Sequence, residues 1–236
     1  DALTTGSSNV AIGHNALSAE DTHGRNVAIG IDALKVQDAG ADAYNVAIGY
    51  KAGETVTTGT GNTIVGGEAG EDLTSGISNE AFGRRALRRA TTSNYNTAMG
   101  TEALRSNILS SRNIAIGFQS LFAHNTANAV DAYNTAVGFK AGHLVTTGTH
   151  NTLIGGLAGD AQTVAGDNTA VGYAALTSNV FGRYCVAIGK NALESQNPAD
   201  GSHSVYNVAV GFQAGSSITT GHGHTIIGGQ AGDAIT

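Results

Sequence analysis

The chain is predicted to be an all-β protein, a parallel β-solenoid or β-roll of thirteen coils of about 17 residues. Three observations predict it. The composition is rich in glycine and apolar residues and poor in charge: 34 Gly, one Pro and no Trp in 236 residues, with 41% hydrophobic and 13% charged. A five-residue pattern, first seen as Asn9-Val10-Ala11-Ile12-Gly13, recurs along the whole chain. No recurrence carries the i, i+3, i+4 apolar spacing of a helix.

Composition alone removes several alternatives. Disordered chains combine low hydrophobicity with high charge, the reverse of what is found here. Glycine costs about 1 kcal/mol at each helix-interior position, which disfavours a helical protein. Glycine does not fall at every third residue, so collagen is excluded. The net charge is −6, and nucleic-acid binders are normally basic, so that partner class is not expected. No stretch approaches the ~20 apolar residues of a membrane span. Cys185 stands alone and has no internal disulfide partner. The chain begins at Asp1 rather than Met and shows no polar cap at either end, so residues 1–236 are read as a single repeat domain within a longer fibre chain.

The repeat is anchored on Gly13, Gly30, Gly49, Gly66, Gly83, Gly100, Gly117, Gly138, Gly155, Gly172, Gly189, Gly211 and Gly228. Nine of the twelve gaps are 17 residues; the others are 19, 21 and 22. A period of this length suits two short strands and two turns, and a parallel stack spaces coils ~4.8 Å apart, giving a rod of roughly 60 Å. Three insertions follow from the longer gaps, at residues 35–44, 124–133 and 194–206.

Each position within the unit has a physical reading. Four before the glycine stands Asn, replaced only by Cys185 and His224. Asn tolerates left-handed backbone, and stacked Asn amides form ladders. Three before is mostly Val or Thr, two before nearly always Ala, and one before always a large apolar residue. Such a strand has a small face and a bulky face, and being apolar on both is expected to be buried on both. The Ala face suits either close approach of another chain or a narrow interior. The anchor glycine itself is expected to need positive φ or the absence of Cβ. Three after it stands Ala, once Ser120; four after stands Leu or Gly.

A higher order is superimposed. Residues 45–70, 134–159 and 207–232 are versions of one cassette, each with Thr-Thr-Gly in its connection and with Gly four after both anchors. In the second unit of each, the usual Ala becomes Ile64, Leu153 or Ile226, and a second glycine follows the anchor at Gly67, Gly156 or Gly229. Volume is thus expected to move from one site to a neighbouring one, as close packing requires.

The repeats Asn134-Thr135-Ala136-Val137-Gly138 and Asn168-Thr169-Ala170-Val171-Gly172 resemble those of bacteriophage tail fibres and related fibre proteins. The pentad Asn9 to Gly13 is similar to the head repeat of trimeric autotransporter adhesins. The resemblance covers residues 9–232. It implies a left-handed parallel β-roll assembled as a homotrimer, with other fibre or virion segments joined at both ends. The unit here is longer than the adhesin head unit. The function expected is that of a shaft, and a possible host-attachment segment, of a phage tail fibre or similar virion appendage. An adhesin head on a bacterial surface is the first alternative. An ice- or surface-binding solenoid is the second, weakened because the Thr column three before the glycine is broken by Val, Ile114 and Glu80.

No catalytic constellation, cofactor motif or assigned metal site is expected. Gly-x-Gly-x-x-Gly before a helix and the calcium repeat Gly-Gly-x-Gly-x-Asp are both absent. His222 and His224 would share one face of an extended segment, but their equivalents in the other cassettes are polar turn residues. The binding candidates are surface groups. Tyr44, Tyr133 and Tyr206 end the three insertions and offer amphipathic rings to a glycan or protein, or cap the loop on the coil edge. Arg84, Arg85, Arg88 and Arg89 form a basic zone that would meet anionic glycans, or be a solvated face. The hexad Arg84 to Arg89 resembles a helix most, yet lies in register with turns elsewhere and is read as a turn.

Overall fold

The computed structural model describes residues 5–20, 22–198 and 204–235. Thirteen three-residue strands occupy the repeat pentads: β1 (Val10–Ile12), β2 (Val27–Ile29), β3 (Val46–Ile48), β4 (Thr63–Val65), β5 (Glu80–Phe82), β6 (Thr97–Met99), β7 (Ile114–Ile116), β8 (Thr135–Val137), β9 (Thr152–Ile154), β10 (Thr169–Val171), β11 (Val186–Ile188), β12 (Val208–Val210) and β13 (Thr225–Ile227). They form a parallel sheet whose strand order is the chain order, as in a solenoid. Two compact units divide the chain, Asp1–Asn113 with Asn125–Asp131, and Ile114–His124 with Ala132–Thr236. The first carries β1 to β6 and the second β7 to β13. Within each unit, pairing is in register with equivalent residues opposed, as in Thr63↔Glu80, Ile64↔Ala81, Val65↔Phe82.

Among the described residues each coil has one strand, not the expected pair. The rest of the coil alternates handedness. The anchor glycine, the residue two after it and the residue four after it all have positive φ, for instance Gly83 at 130°, Arg85 at 59° and Leu87 at 50°. This zigzag sends successive main-chain groups to opposite neighbours: Arg85 N–H donates back to the Gly67 carbonyl at 3.0 Å, and Leu87 N–H forward to the Ala103 carbonyl at 3.0 Å. Backbone hydrogen bonds therefore run between coils outside the strands as well. The hexad Arg84 to Arg89 is turn throughout, as read from its register.

The anchor glycines have no substitute. Gly66 has φ of +135°, and a Cβ there would lie 2.6 Å from the Gly83 carbonyl carbon and oxygen in the next coil. Leu in the left-handed region, by contrast, is tolerated. The strain of about 1–2 kcal/mol per residue is offset by complete burial of the side chain, worth about 1.5–3 kcal/mol, as for Leu34, Leu87, Leu104 and Leu193.

The interior is built from the small strand face. Ala28, Ala47, Ala81, Ala98, Ala115, Ala136, Ala170, Ala187 and Ala209 are fully buried, as is the Ala three after the anchor in the coils between the two end ones, while Ala231 in the last coil is half-buried. Leu four after the anchor fills the remaining space. In the cassettes the filling is inverted as expected: a Cβ on Gly53 would meet Ile64 Cδ1 at 3.0 Å, and one on Gly70 would meet the same atom at 3.2 Å. Leu153 stands in the same relation to Gly142 and Gly159, and Ile226 to Gly215 and Gly232. The expectation of a strand buried on both faces fails. The bulky face points outward, because the interior beside the strand methyls is already filled by the Leu four after the anchor, or in the cassettes by Ile64, Leu153 and Ile226.

The Asn column forms the expected ladder, but not through left-handed backbone; the residue before Asn is the one with positive φ, as in Arg25, Tyr44 and Tyr95. Asn62 shows the pattern. Its Nδ2 donates to the Gly76 carbonyl at 2.9 Å and to Asn45 Oδ1 at 3.2 Å, and its Oδ1 accepts from the Asn79 main-chain N–H at 3.0 Å. These amides are buried and so need partners within the protein; Asn26 Nδ2 is buried without one. The chain of main-chain N–H to Oδ1 bonds runs from Asn26 to Asn113 in the first unit and from Asn151 to Cys185 in the second. Cys185 interrupts the series. Its thiol is pushed up to about 11 by burial, with the Asn207 main chain opposing the shift, so the neutral SH form is the one held there.

Candidate functional site

Three surfaces carry the side chains that can meet a partner. The first is the outward strand face. The large residue before each anchor glycine and the residue after it project from it, and many are exposed: Ile12, Ile31, Ile48, Tyr50 and Met99 in the first unit, Phe118, Phe139, Ile154, Tyr173, Ile188, Phe212 and Ile227 in the second. Phe118 and Phe139 stack with ring centroids 5.5 Å apart and planes at 12°. Lys190 Nζ lies 6.0 Å from the ring centres of both Tyr173 and Phe212. Scattered single apolar residues are normal on a protein surface, but recurrence on one face in every coil except those of β4 and β5, where Val65 and Phe82 are half-buried, is not. The Ala stripe, one of whose two readings was contact with another chain, is inside the coil; the face available for contact is the opposite one.

The second surface is the edge formed by the residue before Asn. The three tyrosines singled out from the insertions lie here, and all are exposed: Tyr44 at 54%, Tyr133 at 50% and Tyr206 at 58%. Tyr95 and Tyr184 occupy the same coil position and were missed, because no insertion precedes them. All five have positive φ, between 51° and 61°, which turns the side chain away from the core. Their rings stack on the next coil at about the coil spacing. Tyr184 and Tyr206 are 5.0 Å apart at 7°, and Tyr133 and His150 are 5.9 Å apart at 16°. Cations fill the same role elsewhere: Arg25 lies over Tyr44 at 5.2 Å and Arg112 over Tyr95 at 5.3 Å. The rings cover one another's faces and offer their edges and hydroxyls to solvent.

The insertions reach this edge by folding back onto a coil. Asp42 of the first pairs with Arg25 at 3.2 Å. In the second, Ser110 Oγ and Thr126 Oγ1 are 2.5 Å apart, and Asp131 pairs with Arg112 at 3.0 Å. In the third, Pro198 is buried and Arg183 bridges Ser204; residues 199–203 lie outside the described residues.

The third surface is the charged edge. Arg85 Nε lies 2.8 Å from Glu68 Oε2, with Glu102 3.9 Å away on the other side. Arg88 Nε lies 2.5 Å from Glu71 and 3.5 Å from Glu68. Glu68 is held below the usual carboxylate range chiefly by its hydrogen bond from Arg85, and Arg85 is raised by the same bond. The series Asp32, Lys51, Glu68, Arg85, Glu102, at one position of successive coils, alternates in sign. The basic zone is thus half neutralised by carboxylates one coil away; Arg84 and Arg89 remain exposed beside it. His222 and His224 lie at the last cassette's connection, exposed and half-buried respectively.

No cavity opens among the described residues, so the geometry offers elongated surfaces with a repeating pattern. No described helix is long and apolar enough to cross a membrane. No protein family, curated protein or solved structure matches the chain.

Proposed function

We propose that this protein is a structural shaft segment of a fibrous surface appendage, a phage tail fibre or similar virion structure, which assembles as a homotrimer and displays its outer edges for attachment. The observation that supports this reading best is the exposed apolar outward face. Its groups recur at the coil spacing in most coils, so a partner that covers it must carry groups at the same spacing. A second and third copy of the same chain meet that requirement without further design. Inter-coil hydrogen bonds along both the strands and the turns supply stiffness. Threefold display of the tyrosine edges and of Arg84 and Arg89 would convert weak contacts with a host-surface glycan or protein into avidity. The left-handed coil and the trimer come from the resemblance of the repeats.

Immunogold labelling with antibodies raised against this chain tests the reading. Labelling of virion tail appendages is the expected result. Labelling of a bacterial envelope would replace it with the adhesin-head reading. Labelling of neither, with signal confined to soluble protein, would overturn both.

A further inference from the structure

Seven residues after each anchor glycine comes a second core position. Its occupants are Glu20, Gln37, Val56, Leu73, Ala90, Asn107, His124, Val145, Gln162, Asn179, Gln196 and Ile218, all buried, and Ile235 in the last coil, which is exposed. Glu20 is the single carboxylate in this series, and it is fully buried. Its Oε1 accepts from the His23 main-chain N–H at 3.0 Å, but Oε2 has no hydrogen-bond partner. A buried carboxylate left half-satisfied is costly unless a cation meets it. Two further ligand-type side chains converge on it. His23 is half-buried and Asp38 exposed, and one ligand atom from each of Glu20, His23 and Asp38 lies within 4.8 Å of the others. The His23 Nδ1 is 3.8 Å from Glu20 Oε1 and 2.9 Å from the Thr22 hydroxyl, which holds the ring in place.

We propose that Glu20, His23 and Asp38 form a binding site for a divalent transition-metal ion, zinc in the first place. Two carboxylates and an imidazole are the donor set such ions take, at 2.0–2.2 Å from each ligand atom. Ligand atoms already gathered within 4.8 Å need only small side-chain adjustments to reach that distance. The ion neutralises the buried carboxylate and occupies the bonding capacity of Oε2. It also ties the first coil, through Glu20, to the second, through Asp38, with His23 in the connection between them. Its role is that of a clip at the start of the stack, where Ala11 in β1 is exposed although its equivalents in later coils are buried. The site is separate from the outward face and does not depend on the function proposed above.

Isothermal titration of the full chain with Zn2+ tests the site, with Co2+ absorption as a spectroscopic readout of an imidazole ligand. The expected result is one ion per chain, weakened at least 30-fold by Glu20→Gln and by His23→Ala, and unaffected by the double substitution His222→Ala, His224→Ala. His23 is not in the core, so His23→Ala keeps the test readable should Glu20→Gln fail to fold. Absence of saturable binding would overturn the proposal. So would equal affinity in His23→Ala and the parent, or loss of binding in the His222/His224 variant. A rise in thermal midpoint for Glu20→Gln without metal, together with no binding by the parent, would overturn it as well.

Discussion

Replacing Asn79 by Ala tests the amide ladder at a fully described point. Asn79 Nδ2 donates to the Ser93 carbonyl at 2.9 Å and to Asn62 Oδ1 at 3.1 Å; its Oδ1 accepts from the Asn96 main-chain N–H at 3.1 Å and from Asn96 Nδ2 at 3.2 Å. Asn96 Nδ2 keeps its bond to the Ser110 carbonyl, and Asn62 Oδ1 keeps the main-chain N–H of residue 79. The Ser93 carbonyl and the Asn96 N–H lose the partner that Asn79 supplies. Each orphaned buried group costs about 1–3 kcal/mol, so the loss is about 4 kcal/mol for the pair. Asn79→Cys should lose about half as much, because a thiol can still accept weakly from the Asn96 N–H, as Cys185 does from Asn207. Native-state amide exchange at Asn96, with chemical unfolding alongside, reads both. At 1.36 kcal/mol per tenfold, exchange at Asn96 in Asn79→Ala should quicken by at least a hundredfold. A change below threefold, with stability within about 0.5 kcal/mol of the parent, would refute the ladder as a source of stability.

Three further outcomes follow from the packing. Gly66→Ala places a methyl 2.6 Å from the next coil's backbone at φ +135°, whereas Gly67→Ala meets nothing within 4 Å. The first should cost about 3 kcal/mol or more and the second under about 0.5 kcal/mol; equal thermal midpoints would contradict this. Gly53→Leu should destabilise by colliding with Ile64, and adding Ile64→Ala with Gly70→Leu should recover most of the loss by restoring the filling of an ordinary coil; strict additivity on unfolding would refute the exchange of volume. His124, buried, is pushed down to about 4 from its ordinary 6.5, with the Thr146 main chain opposing the shift. The unfolded chain therefore takes up this proton first as pH falls, so the contribution is complete above 6.5 and is lost between there and 4, about 3 kcal/mol in all. His124→Leu should remove that part of the acid slope, and an identical slope in the variant, measured by urea unfolding from pH 7 to 4, would refute it.

Much of the fold could be read from the residues because the coil imposes a period. The anchor glycines, the Asn ladder and the exchange of volume between Gly53, Gly70 and Ile64 are each visible as columns. Two features were not legible. Alternation along Val46-Ala47-Ile48 defines two faces but not which is inside, and the usual preference for burying the larger residue points the wrong way where other side chains already fill the interior. The single strand per coil was hidden because left-handed Leu87 and Arg85 follow no propensity. Among surface residues, Tyr44, Tyr133 and Tyr206 were found through the insertions they end, while Tyr95 and Tyr184 needed the coil position to be compared directly. The partners of Arg85 could have been found by aligning Glu68 and Glu102 at the 17-residue period. Glu20 carried a signal of the same kind, a lone carboxylate at a core position, which becomes visible only once that position is known to be inside.

The central claim is that the outward strand face is covered by further copies of the same chain. The native mass in solution, measured by light scattering on the purified chain, tests it most directly. The account predicts three times 23.7 kDa, held on dilution. A folded monomer of 23.7 kDa, with Ile48, Tyr50, Phe139 and Tyr173 left in water, would contradict it.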